Sequence, residues 1–286
     1  MKTVYFKYIS ALLLFGSNGI VASYISLNSY EIVLLRTLIG SAFLVVVFVI
    51  SRQKFQSRKH KKDFGYLIVS GVAMGAGWMF LYEAYARIGV SVATLAYYCG
   101  PVIVMALAPA LFHENITAGK LLGFLAVLAG MFFVNKQALW QSGFSWGLLC
   151  GILSAVMYAF MVIFNKKAAG ITGLENSLCQ LAVSFLTVGL FTLMKQGVTI
   201  SIPPQSILPI LLLGIVNTGA GCYLYFSSIP RLPAQSVAIW GYLEPVSALI
   251  FSAVWLNERL TPLQFIGTAF ILGGAAFAER YRRKRP

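Results

Sequence analysis

Apolar residues run along this chain in long blocks, interrupted only by short clusters of Ser, Gly, Pro, Lys and Arg. A helix rises about 1.5 Å per residue, so crossing roughly 30 Å of hydrocarbon takes about 20 residues. Ten blocks meet that length, at about 5–24, 30–50, 64–86, 91–112, 118–136, 144–165, 174–194, 206–229, 233–256 and 261–279. Turn signals fall between them: Ser26 to Ser29, Gly89, the His113-Glu114-Asn115 corner, Gly170 to Gly173, Pro203-Pro204, and Pro230 to Pro233. The links are too short to hold a soluble domain.

The pattern occurs twice, 144 residues apart. Gly75-Ala76-Gly77, Arg87, Pro101-Val102, Glu114, Thr117, Gly123 and Gly130 return as Gly219-Ala220-Gly221, Arg231, Pro245-Val246, Glu258, Thr261, Gly267 and Gly274. Glu31 matches Glu175 in the same register. Each copy holds five spans. Five is odd, so the second copy enters the membrane upside down. The expected fold is an all-α polytopic membrane protein of ten transmembrane helices, built as two inverted five-helix repeats over 1–138 and 139–286. Halves that face opposite sides can exchange conformations at little cost, giving inward-open and outward-open states.

Composition supports a membrane protein: 59% of the 286 residues are apolar and 10% are charged, against roughly 25% charged in soluble domains. The net charge of +14 does not point to nucleic acid, because Lys and Arg sit in short links between apolar runs, where they act as topology signals. A cytoplasmic N-terminus places Lys2, Lys7, the run Arg52 to Lys62, Lys120, Lys166, Lys167, Arg231 and the tail Arg280 to Arg285 inside. Only Arg87, Lys136, Lys195 and Arg259 then lie outside. Both termini are therefore expected in the cytoplasm, and the short loops suit a bacterial plasma (inner) membrane. Lys2 and Lys7 before an apolar stretch imitate a signal peptide, but the stretch reads as the first span. Cys99, Cys150, Cys179 and Cys222 lie in apolar runs without CxxC spacing and read as small helix residues. His60 and His113 are far apart, so no metal site is expected.

Tyr242-Leu243-Glu244-Pro245-Val246, then Leu256-Asn257-Glu258-Arg259-Leu260-Thr261, then Gly267 and Gly273-Gly274, resemble the EamA repeat of the drug/metabolite transporter superfamily. Gly100-Pro101-Val102, Phe112 to Thr117, Gly123 and Gly130 resemble a weaker version. The resemblance covers nearly the whole chain. It implies a carrier of amino acids, amines, drugs, nucleotide sugars or other metabolites, with spans five and ten as a candidate homodimer contact. One departure stands out. Glu244 corresponds to Gly100, so this carboxylate is present once rather than twice.

Glu244 is the first candidate for chemistry. It falls near the middle of a span, where a charged residue costs about 2.5–3.5 kcal/mol to insert, and such a group normally faces a cavity or a partner. Pro245 follows and should kink or open the helix, as should Pro101 in the other half. A carboxylate at such a break can bind a cation, take up a proton, or simply pair inside the bundle. Glu83 lies among Trp78, Tyr82 and Tyr85, a setting suited to an amine, although it is close to the outer end of its span. Arg36 is a partner for either carboxylate or for that of a substrate, and its repeat mate is Gln180. Tyr97, Tyr98, Trp240 and Tyr242 flank the two prolines, Tyr98 and Tyr242 being exact mates. Asn18, Asn165 and Asn217 read equally as interhelical glue. Glu114 and Glu258 are a structural pair. Each is expected to accept hydrogen bonds from the first amides of the helix that follows it. Gly123 with Gly130, Gly267 with Gly274, Gly71 with Gly75, and Gly147 with Gly151 mark close helix contacts.

The chain has no P-loop, HExxH, Gly-x-Ser-x-Gly or paired-aspartate arrangement, and no Arg series of a voltage sensor. An enzyme is not expected, nor a cofactor. The expected function is secondary transport of small metabolites, outward and by alternating access, with protons as a candidate coupling partner. Efflux of lipophilic or quaternary cations, or uncoupled facilitation, is the alternative. The expected partners are the small-molecule substrate and the lipid bilayer.

Overall fold

The structure, a computed structural model, describes residues 2–139, 146–197, 200–255 and 261–282. Its regular elements are all helices among these residues, and they make ten apolar crossings. They are α1 (Lys2–Ser23), α2 (Ser29–Ile50), α3 (Lys61–Ile88), α4 (continuing to Tyr97 and then Gly100–Phe112), α5 (Ala118–Leu139), α6 (Trp146–Lys167), α7 (Gly173–Gln196), α8 (Pro204–Arg231), α9 (Ala234–Trp255) and α10 (Pro262–Arg282). Seven are long apolar spans; the apolar parts of α4, α5 and α10 are shorter.

Helical bonding runs unbroken from Lys61 to Tyr97, yet this stretch contains two crossings. A Cβ on Gly151 of α6 would lie 2.7 Å from the Cβ of Ala96 and 4.0 Å from that of Ala84. Twelve residues of straight helix would separate those alanines by about 18 Å. The chain therefore doubles back between them, near the expected turn at Gly89.

The two halves interlock through repeat-related contacts. A Cβ on Gly75 of α3 would fall 2.8 Å from Thr187 Cβ of α7, and one on Gly219 of α8 would fall 2.6 Å from the Phe43 ring of α2. These are one contact seen twice, 144 residues apart, with the halves exchanged. α5 and α10 pack on each other in the same way: a Cβ on Gly123 would meet the Gly274 carbonyl oxygen at 2.6 Å, and one on Gly130 the Gly267 oxygen at 2.5 Å. Only glycine lets the two backbones come this close. Both glycine faces are thus used within one chain.

A polar seam joins α3, α6 and α7. Asn165 Nδ2 donates to Asn176 Oδ1 at 2.8 Å, Gln180 Nε2 to Ser70 Oγ at 2.6 Å, and Ser70 Oγ to the Met161 carbonyl at 2.6 Å. Asn165 and Gln180, the mate of Arg36, are buried here as glue.

Candidate functional site

α9 pauses at Tyr242 and restarts at Leu243. α4 pauses at Tyr98-Cys99 and restarts at Gly100. Each new piece carries its proline within its first three residues, where the missing N–H leaves no helical bond unmade. The two breaks meet. The Tyr242 hydroxyl donates to the Tyr98 carbonyl oxygen at 2.7 Å, and the two rings lie 6.1 Å apart.

Glu244 sits in the first turn of the second piece of α9. The positive end of the peptide dipoles there favours a carboxylate. Its side chain makes no hydrogen bond or ion pair with any described residue, and it is half-buried rather than sealed. Tyr242, two residues before Glu244, begins a connected set of tyrosine contacts: its ring lies 6.1 Å from that of Tyr98, and at the far end of the set Tyr8 stacks on Tyr225 at 5.3 Å. Tyr97 packs against Tyr98 at 5.4 Å and edge-on to Tyr158 at 5.5 Å, and the Tyr158 and Tyr225 hydroxyls bond at 3.2 Å. A connected cluster of tyrosines therefore adjoins the break at which the unpartnered carboxylate sits. The structure also explains why the carboxylate occurs once. At Gly100, a Cβ would lie 2.6 Å from the Tyr158 ring and 3.0 Å from the Ala155 carbonyl oxygen, so α6 fills the space that Glu244 has on its side.

Arg36 is 6% exposed, and its Nε donates to Thr218 Oγ1 at 2.9 Å. Its guanidinium carbon sits 5.0 Å from the centre of the Trp78 ring. Thr218 belongs to a widened turn of α8, Leu213–Ala220, of the π type that recurs at functional sites. In the same turn Asn217 Nδ2 donates to the Leu14 carbonyl at 2.9 Å and to Ser17 Oγ at 2.8 Å, where α1 is interrupted. The expected pairing of Arg36 with a carboxylate is not made: neither Glu244 nor Glu83 comes within 4.0 Å.

Glu83 has partners of its own. Arg87 Nε donates to it at 2.7 Å, and Lys195 Nζ and the Tyr30 hydroxyl also donate to it. Lys195, from α7, lies over the Tyr30 ring at 4.4 Å. An amine would have to displace Lys195 to reach this carboxylate. Tyr82 packs edge-on to Tyr85 at 5.3 Å. The Glu83 network ties α2, α3 and α7 together at the bundle end away from Lys2. Glu83→Gln is expected to loosen this tie. In a chain with its four cysteines replaced by alanine, a cysteine at Tyr97 should then react several-fold faster with an impermeant thiol reagent from that side. An unchanged rate would remove any closing role for the network.

Trp240 lines a groove of about 530 Å³ with Lys2, Tyr5, Phe6, Ile9, Ala276 and Arg280. Glu114 caps a helix, but not the one that follows it. Its carboxylate accepts from the Ala234 and Gln235 amides at 2.7 and 3.1 Å, at the start of α9, with Lys166 Nζ at 3.8 Å. The corner at His113, in the left-handed region at φ 54°, brings Glu114 against the other half, and Thr117 Oγ1 serves the start of α5 by accepting from the Lys120 amide at 3.3 Å. Glu258 lies outside the described residues. Glu114→Ala is expected to cost about 1–2 kcal/mol through the lost cap, read as a lower melting temperature in detergent.

The model of the EamA-like transporter family matches twice, over residues 2–136 and 145–279. The chain belongs to the EamA-like transporter family. It is a multi-pass transporter of the cell membrane and not an enzyme. An uncharacterized transporter of Bacillus subtilis, YxxF, is 24% identical over 285 residues, 96% of this chain and 89% of that protein. A probable amino-acid metabolite efflux pump of Escherichia coli is 26% identical over 189 residues, 60% of this chain and 62% of that protein. A crystal structure at 18% identity superposes with a TM-score of 0.82, covering 98% of this chain and 99% of the other, so the two share a fold.

Within this EamA-like transporter, sequence reasoning missed Tyr8, Tyr158 and Tyr225 in the tyrosine cluster, Thr218 beside Arg36, and Lys195 beside Glu83. Each comes from a helix distant in sequence, and no spacing within one span signals such a meeting.

Proposed function

We propose that the chain exports a small amino acid, an amine or a related metabolite by alternating access of its two halves, with both termini in the cytoplasm. Glu244 binds the proton or the cationic group of the substrate, and the tyrosines around it bound the site. The observation that carries this reading is the Glu244 carboxylate, unpartnered among the described residues and placed at a helix break deep in the bundle. A purely structural carboxylate would be paired, as Glu83, Glu114 and Glu175 are. Two further features support alternating access. The repeat-related contacts exchange between halves, and polar networks tie the bundle at both ends, through Glu83 at one and through Glu114 with Lys166 at the other. The printed names of the efflux-pump relatives support outward movement of amino-acid metabolites.

A second reading, efflux of lipophilic cations, draws on the same tyrosine cluster, since ring faces attract cations. Uptake into proteoliposomes separates the two readings. Radiolabelled amino acids, amines and tetraphenylphosphonium are offered with and without a pH gradient. Saturable uptake of amino acids or amines supports the proposal; saturable uptake of tetraphenylphosphonium alone favours the second reading.

A further inference from the structure

Arg36 and Glu244 pose a common problem. Each is a charged group within an apolar bundle, and each lacks an opposite charge in contact among the described residues. Of the five N–H donors of the guanidinium, the one on Nε is bonded, to Thr218; the terminal nitrogens have no partner among the described residues, and they are not sealed from the interior. Glu244 likewise has no bonded partner among the described residues and is not sealed. Trp78, which lies against Arg36, and Leu243, next to Glu244 in the chain, pack on the same buried core, and the two charges lie more than 4.0 Å apart. Lone charges inside a membrane protein mark a substrate or ion path. Two of them, opposite in sign and held apart, suit a solute that carries both charges itself.

The surroundings of Arg36 strengthen the point. Thr218 takes the Nε–H, which fixes the plane of the guanidinium, and the Trp78 ring lies against it at 5.0 Å. The terminal nitrogens are left as a planar fork, the geometry that binds a carboxylate through two parallel hydrogen bonds. Trp78 and Thr218 come from α3 and α8, repeat-related helices on opposite halves. A ligand held here would therefore touch both halves.

We infer that Arg36, positioned by Thr218 and Trp78, is the subsite for a carboxylate of the substrate, and that Glu244 faces the ammonium group of the same molecule. The preferred solute is then a zwitterion with both groups close together, and a bare amine lacks one of its two anchors. This deepens the function proposed above and rests on it.

The test uses matched triples in proteoliposomes of the full chain: L-phenylalanine, phenethylamine and N-acetyl-L-phenylalanine, and the same three forms of L-leucine. The wild type should take up, or be competed by, the zwitterion at least tenfold better than either one-charge analogue. Arg36→Gln should remove that preference while keeping amine uptake within a few-fold. Arg36→Lys, which keeps the charge and loses the fork, should restore part of it. Melting temperature in detergent controls for folding. Equal handling of amine and zwitterion by the wild type overturns the subsite and leaves the transport reading standing. So does an equal loss of both solutes in Arg36→Gln, the mark of a structural role. Failure of every amino acid and amine to move overturns the transport reading as well.

Discussion

Glu244→Gln should cut gradient-driven uptake at least tenfold while the protein remains folded. Glutamine keeps the size of the side chain and removes its charge and its proton site. Glu244 has no bonded partner among the described residues, so the change breaks no structural contact, and the melting temperature should move little. This separation sets Glu244 apart from Glu114. Loss of Glu114 strips the amides of Ala234 and Gln235 of their acceptor, and stability should fall. Radiolabelled uptake beside a thermal melt tells the two apart. A Glu244→Gln protein that melts early would return the residue to a structural role.

The largest effect on stability is expected at the contact of α5 with α10. In Gly130→Leu the new Cβ alone would lie 2.5 Å from the Gly267 carbonyl oxygen and 2.7 Å from Ile271 Cγ1. The nearest atom is backbone, so no rotamer change relieves it and the helices must part. Overpacking of this kind costs about 1–3 kcal/mol, and the leucine adds further atoms to the same gap. The protein should lose its monodisperse elution and melt at lower temperature. Gly273→Leu is the control: a Cβ there meets nothing within 4 Å, so that variant should behave as wild type.

The contrast between these sites shows what the sequence made legible. The hydrophobic blocks and the 144-residue repeat located the ten spans, because span length is set by the bilayer and glycine pairs by close helix approach. Pro245 beside Glu244 marked the break in α9 from local chemistry alone. Partners across the bundle were not legible. Lys195 reaches Glu83 from α7, and Glu114 reaches α9 rather than the adjacent α5, because the halves interlock and place distant helices side by side. Tyr158 could not be assigned to the Glu244 site from its spacing, nor could the space it fills beside Gly100 be foreseen. That space accounts for a departure from repeat symmetry that the sequence only recorded.

The proposed function is most exposed where Glu244 exchanges a proton for the cationic group of the solute at one site between the halves. Substrate-evoked proton movement reports on it most directly, followed with a trapped pH dye in proteoliposomes of wild type and Glu244→Gln. The expected result is a saturable proton flux in the wild type whenever a transported amino acid or amine is added, and none in the variant. Solute uptake with no proton movement, equal in both proteins, would contradict the account.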